Sequence, residues 1–254
     1  MSTADPTGVR LMREHEVACE RETGETEPML TATLRDAVDC IIESAHAFEG
    51  LDNLEDDEQA VLAQIILGAR TARVFVGLTL TGQYESALAV ARMLIEDGIV
   101  CAYLVEFPEH AAKWRRLKID LKYGEMADKV IEAHARRGEQ ESPGAAAAWR
   151  HAGAVLHAAR KSLDVMSHAN PARIQFVLKE HGYELYPFLD RGAFRVTTWF
   201  GLVGLVQMVS FTRKRLERHG KAVPPCNSDE LHDRFAADLD ELEKTDDPLG
   251  LHGA

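Results

Sequence analysis

Cysteine is scarce in this 254-residue sequence, strand-like alternation is nearly absent, and the common catalytic fingerprints are missing. The four cysteines (Cys19, Cys40, Cys101 and Cys226) are widely separated and form no C-x-x-C pair. That spacing indicates neither a zinc ribbon nor a disulfide framework, and the default reading is a reduced, cytoplasmic protein. The first residues, MSTADPTGVR, contain no basic stretch followed by an apolar run, so no secretory signal is expected. The near absence of period-two patterns argues against a β-rich fold, and no internal repeat is seen. No H-E-x-x-H, P-loop, G-x-G-x-x-G or G-x-S-x-G pattern occurs. The sequence therefore points to no cofactor and no resident metal. What is present is an ordinary globular composition, 46% hydrophobic and 28% charged, which excludes collagen-like, low-complexity and wholly disordered chains.

The net charge of −12 conceals a division along the chain. Residues 1–60 hold 16 acids against 4 bases, and residues 228–254 hold 9 against 2. The intervening residues 61–227 hold 16 acids against 23 bases. Acidic ends thus enclose a basic body. This is either surface charge for solubility or a body that meets an anion such as RNA while the ends shield it.

Residues 1–28 are charged and interrupted by Pro6, Gly8, Gly24 and Pro28, and are expected to form a flexible acidic arm. Apolar residues at three- and four-residue spacing predict a helix from Leu30 to Ala45 and a second through Val61 to Ala69, ended by Gly82. A third is expected from Gln83 to Glu106, and a fourth from Pro108 to about Arg136. Ser142-Pro143 should cap and open a fifth helix running to about His168. Asn170-Pro171 marks a boundary. A short helix over Ile174–Glu180, an extended stretch over Gly182–Asp190 and a long helix from Ala193 to His219 follow. Pro224-Pro225 stops the chain before a last acidic helix that opens on Asn227-x-x-Glu230 and ends near Glu243. The expectation is an all-α, single-domain bundle of about six to eight helices over 29–220, with a Pro-broken acidic helix and tail over 221–254.

Residues 196–211 are apolar nearly all round but too short for a membrane span, which needs ~20 residues. They also carry Arg195, Thr197, Thr198 and Gln207. A buried core or dimer helix is preferred, with Gly201 and Gly204 allowing close approach. A homodimer and no membrane association are expected.

Two polar anomalies stand out. Arg92 and Glu96 lie one turn apart on a helix whose other positions are almost all apolar, and Leu88, Ile95, Ile99 and Tyr103 fall within about 60° of Arg92. Charges there are expensive unless paired, so they form a structural ion pair or line a polar pocket. The second anomaly is the end of the fifth helix, Ser167-His168-Ala169-Asn170-Pro171. His168 sits where the helix must stop, either bonded to the last carbonyls or turned into a cleft as a general acid or base. Ser167 or Asn170 would orient it, and Arg92 or Arg173 would hold an anionic group. Lys113-Trp114-Arg115-Arg116 is a basic turn with an aromatic, suited to phosphate contact and base stacking, or else a solvated face with Trp114 anchored in the core. Glu43-x-x-His46 has the spacing of a di-iron helix but no second copy.

Arg92-x-x-x-Glu96 in a helix ending Ala102-Tyr103-Leu104, the Pro108 to Trp114 stretch and a later Ser167-His168-x-Asn170-Pro171 together resemble an uncharacterised bacterial helical family. Over about residues 60–180 the chain is also similar in outline to HEPN-type abortive-infection proteins. That resemblance implies a dimeric, metal-independent RNase of toxin or anti-phage systems. His168 would transfer protons, Arg92 and Glu96 would complete the site, and Ser167, Asn170, Arg173, Tyr103, Trp114 and Arg115 would contact substrate. The HEPN motif is Arg-x4–6-His. Arg160 and His168 have seven residues between them, whereas Arg213 and His219 have five but lie on a charged helix end. The alternative function is a non-enzymatic module that binds a partner protein or small ligand in the same polar pocket.

Overall fold

The computed structural model describes residues 7–49, 54–116, 122–167, 178–179, 182–183, 189–218 and 228–244. The fold is all-α. Among the described residues, eight helices of 17 residues or more carry it: α1 Thr7–Thr26, α2 Pro28–Glu49, α3 Asp56–Leu80, α4 Tyr84–Glu106, α6 Tyr123–Glu141, α7 Pro143–Ser167, α8 Arg191–Arg218 and α9 Ser228–Lys244. A five-residue α5, Ala111–Arg115, follows a 3-10 turn at Pro108–His110.

The punctuation follows local chemistry. Gly82 adopts φ 77°, the left-handed conformation that glycine takes without strain, and the turn closes with Gln83 N–H donating to Leu78 O at 2.9 Å. Ser142 Oγ accepts from Ala145 N–H at 3.3 Å, so Ser142 caps α7 and Pro143 opens it.

α4 is the hub. It packs against α3 and α8 on one side and the α6–α7 hairpin on the other, while α2 packs on α3 and α8. This explains a helix apolar on most of its circumference: Leu88, Leu94, Ile95, Ile99 and Tyr103 are all buried. α8 is apolar for the same reason, with α2, α3, α4 and α9 around it. By length and composition alone α3 and α8 could each cross a membrane; in this fold both supply core residues.

Several expectations need correction. Residues 7–26 are a helix rather than an arm, because one face is anchored. Cys19 and Thr23 are buried, Thr23 Oγ1 donates to Leu80 O at 3.5 Å, and Gln83 Nε2 donates to Glu16 Oε1 at 2.8 Å. The helix expected from Pro108 to Arg136 is interrupted: α5 ends in a turn where Arg116 N–H donates to Lys113 O, and α6 begins at Tyr123. Leu178–Lys179, expected to be helical, pairs antiparallel with Gly182–Tyr183. Cys40 is disulfide-bonded, whereas Cys19 and Cys101 are free thiols. Wide spacing in sequence did not reveal that bond because bonding depends on distance in space.

The close approach allowed by Gly201 and Gly204 is used within the chain. A Cβ on Gly201 would lie 2.0 Å from the Phe75 ring of α3, and one on Gly204 would lie 3.0 Å from Ile95 N of α4. These glycines therefore do not serve as a dimer seam.

The charge division also has a structural counterpart. Buried Glu27, from the acidic N-terminal part, accepts from Arg191 and Arg195 of α8. Glu58 lies 3.5 Å from Arg215, and Glu241 of α9 lies 3.6 Å from Arg195. Acidic ends and basic body are partly matched inside one molecule.

Candidate functional site

α4 carries an Arg-x-x-x-Glu step, Arg92 to Glu96, and α7 carries a matching Arg-x-x-x-Asp step, Arg160 to Asp164. The helices are antiparallel here, so the steps face each other in reverse. Arg92 Nη2 lies 3.0 Å from Asp164 Oδ1, and Arg160 Nε lies 3.6 Å from Glu96 Oε1. Arg92 Nε also donates to Glu96 Oε1 at 3.3 Å within α4. Among the described residues, two guanidiniums and two carboxylates form this seam. Arg92 and Glu96 keep 21% and 17% of their side-chain surface exposed, so the seam is sheltered from water without being sealed. Tyr123 of α6 closes one side, with the Arg160 guanidinium 6.0 Å from its ring centroid. Burial pushes the Tyr123 hydroxyl above its ordinary pKa, and the charges of Glu96 and Asp97 add to that, so it remains a donor at neutral pH.

Asp97, the next residue on α4, turns toward α3 and accepts from Gln64 Nε2 and Thr71 Oγ1, each at 2.8 Å. Burial raises its pKa, the two hydrogen bonds oppose the rise, and Glu96 adds to it. The folded state thus disfavours ionised Asp97, and that penalty develops as pH rises from the ordinary value of 3.8 through the raised folded-state value and is constant above it. Asp97→Asn is expected to match or exceed wild type in thermal midpoint, with an advantage that rises across that window and then levels off. Asp97→Ala, which strands the buried Gln64 amide while Thr71 Oγ1 keeps Leu67 O as its acceptor at 3.1 Å, should lose about 1–2 kcal/mol. Thermal melts across a pH series test both expectations.

The predicted site residues divide into three groups. Arg92 and Glu96 are in the seam. Ser167 ends α7 and Arg115 ends α5, whereas His168, Asn170 and Arg173 lie outside the described residues, as does His219. Tyr103 and Trp114 are elsewhere. Tyr103 is fully buried, hydrogen-bonded to His110 Nδ1 and against the Phe107 ring at 5.0 Å, which corrects its placement among substrate contacts. Trp114 is half-buried against the core, the anchored arrangement rather than an open stacking platform. Glu43 and His46 are exposed on α2, and no group of three metal-ligating side chains converges among the described residues.

A second polar cluster, missed in the sequence, centres on Glu106 at the end of α4. Its side chain is only 4% exposed. It accepts from Arg137 of α6 and Lys214 of α8, lies 3.1 Å from His134 Nε2, and has Arg218 at 3.9 Å. Burial works to raise the Glu106 pKa. The hydrogen bonds from His134, Lys214 and Arg137 override it, together with the Lys214 charge, and hold the carboxyl far below its ordinary range. Lys214 is pushed below its ordinary value by burial, only partly compensated by Glu106. The His134 ring stacks on Trp149 of α7 at 4.0 Å and meets the edge of Phe211. Comparison with protein-family models, with curated proteins and with solved structures gave no match.

Proposed function

We propose that this chain is a HEPN-like helical protein that cleaves RNA without a metal, as a homodimer in a toxin or anti-phage system. The observation that carries the reading is the 3.0 Å Arg92–Asp164 pair, which draws a guanidinium from the middle of α4 to the last turn of α7. Asp164 precedes His168 by four residues. In this reading His168 takes the proton of a ribose 2′-hydroxyl, and the 2′-oxygen attacks the adjacent phosphorus. The 5′-oxygen leaves with a proton, giving a 2′,3′-cyclic phosphate and a 5′-hydroxyl. Arg92 stabilises the phosphate charge, Glu96 and Asp164 fix its guanidinium, and Ser167, Asn170 and Arg173 contact substrate. The likeness in outline to HEPN proteins supports the assignment of roles, while the Arg160 to His168 spacing departs from the Arg-x4–6-His motif by one residue.

A second reading is favoured by a different observation. Each seam arginine faces a carboxylate, so among the described residues the seam carries little surplus positive charge for a polyanion. That suits a non-enzymatic module binding a partner protein or small ligand.

Labelled single-stranded and structured RNA, incubated in EDTA with wild type and His168→Ala, separates the two. Cleavage by wild type that is lost in His168→Ala, with unchanged helicity and thermal midpoint, supports the RNase. No cleavage by folded wild type overturns it in favour of binding.

A further inference from the structure

Two cavities meet on the side of the bundle away from α3. The larger, about 500 Å³, lies among α4, α6, α7, α8 and α9, with walls that include Ile99, Val130, Leu156, Val203 and Val206. The smaller, about 330 Å³, is bounded by His134, Arg213, Lys214 and Glu217. Both are lined by Trp149, Ser210 and Phe211, so the apolar chamber runs into the polar one. Each volume lies within the ~300–1,000 Å³ of small-molecule sites.

The two ends differ in chemistry. The chamber wall is largely apolar; among the described residues its polar side chains are His151, Gln207, Ser210 and Asp240, the last on the exposed face of α9. Among the described residues Arg213, Lys214 and Glu217 line the polar end, and behind Lys214 the buried Glu106 carboxylate is shared by Lys214, Arg137 and Arg218. Among these residues one carboxylate, Glu106, thus serves three cations beside the stacked His134–Trp149 pair. Burial of Lys214 sharpens the imbalance: an ammonium removed from water gains more from a second anion than one on the surface.

We propose that the chamber and its cationic end form one binding site for a single-tailed amphipathic anion. The apolar chain lies between α6, α7 and α8, and the carboxylate sits against Lys214 and Arg213. The proposal is independent of the Arg92–Asp164 seam and of RNA cleavage. It commits to a carboxylate on a flexible chain, because Arg213 and Lys214 line the polar end whereas no lysine or arginine lines the chamber among the described residues.

Calorimetric titration of the full chain with decanoate, decanol and decyltrimethylammonium, each below its micelle concentration, tests it. Decanoate should saturate one site and bind about tenfold or more tighter than decanol, with the cation weakest. Lys214→Met should bring decanoate affinity down to that of decanol while leaving decanol unchanged. Arg213→Met, outside the Glu106 contacts, should reduce the same preference in part, so the test survives if Lys214→Met fails to fold. Ala236→Trp, on the exposed face of α9 and at the chamber wall, should weaken all three probes. Equal affinity for the three head groups, a preference that survives both Lys214→Met and Arg213→Met, or the absence of one-site saturation would each overturn the proposal.

Discussion

Glu106→Gln is expected to lower the thermal midpoint at pH 7 by roughly 6–12 °C, the consequence of about 3 kcal/mol in a chain of this size. The carboxylate is the common partner of His134, Arg137, Lys214 and Arg218, which reach it from α6 and α8. Without it, Lys214 is left half-buried among other cations. Arg137 and Arg218 are exposed enough for water to screen them, so most of the loss comes from Lys214 and His134. A pH series checks the cause. The folded-state pKa of Glu106 lies below its ordinary value of 4.5, so its contribution is complete above about that pH and fades as the solution becomes more acid. Wild type should lose stability as pH falls below about 4.5, while Glu106→Gln, already without that contribution, should show a shallower acid limb. Parallel acid limbs, or an unchanged midpoint at pH 7, would show that the cluster does not hold these helices together.

Gly204→Val is expected to destabilise the fold by about 3 kcal/mol, read as a lower urea midpoint. A Cβ there would lie 2.9 Å from Leu94 Cγ and 3.0 Å from Ile95 N, and a backbone nitrogen cannot rotate away as a flexible side chain can. Gly98, on the facing turn of α4, is equally confined, with Gly204 O 3.2 Å from where its Cβ would stand. Because the crossing is between α4 and α8 of one chain, the loss should not depend on protein concentration. A midpoint that moves with concentration in the variant but not in wild type would place this surface between subunits instead.

The seam shows how far a sequence can be read. Arg92 and Glu96 stood out because two charges on a helix apolar on most sides need partners, and a helical projection reveals that without coordinates. Their partners were less visible. Arg160-x-x-x-Asp164 looks like many helix surfaces, and it becomes complementary to Arg92-x-x-x-Glu96 only once α4 and α7 are known to be antiparallel neighbours in this register. Asp97 was hidden for the same reason, since Gln64 and Thr71 are brought to it by α3. Tyr103 was misjudged because a projection gives the direction of a residue and not what fills that direction. Phe107 and His110, just past the end of its own helix, fold back to enclose it.

The sequence by itself determined the all-α class, the turn at Gly82, the opening of α7 at Ser142-Pro143 and the charged step on α4. Each of these rests on interactions within a few residues, such as backbone conformation, a capping hydroxyl or the period of apolar side chains. Only the tertiary structure decided that residues 7–26 are held as a helix, that the α8 glycines seat Phe75 and the α4 backbone, and that Glu106 gathers cations from helices more than 25 residues away in sequence. Those features depend on which helix faces meet, and pairwise contact between distant faces leaves no periodic mark on the chain.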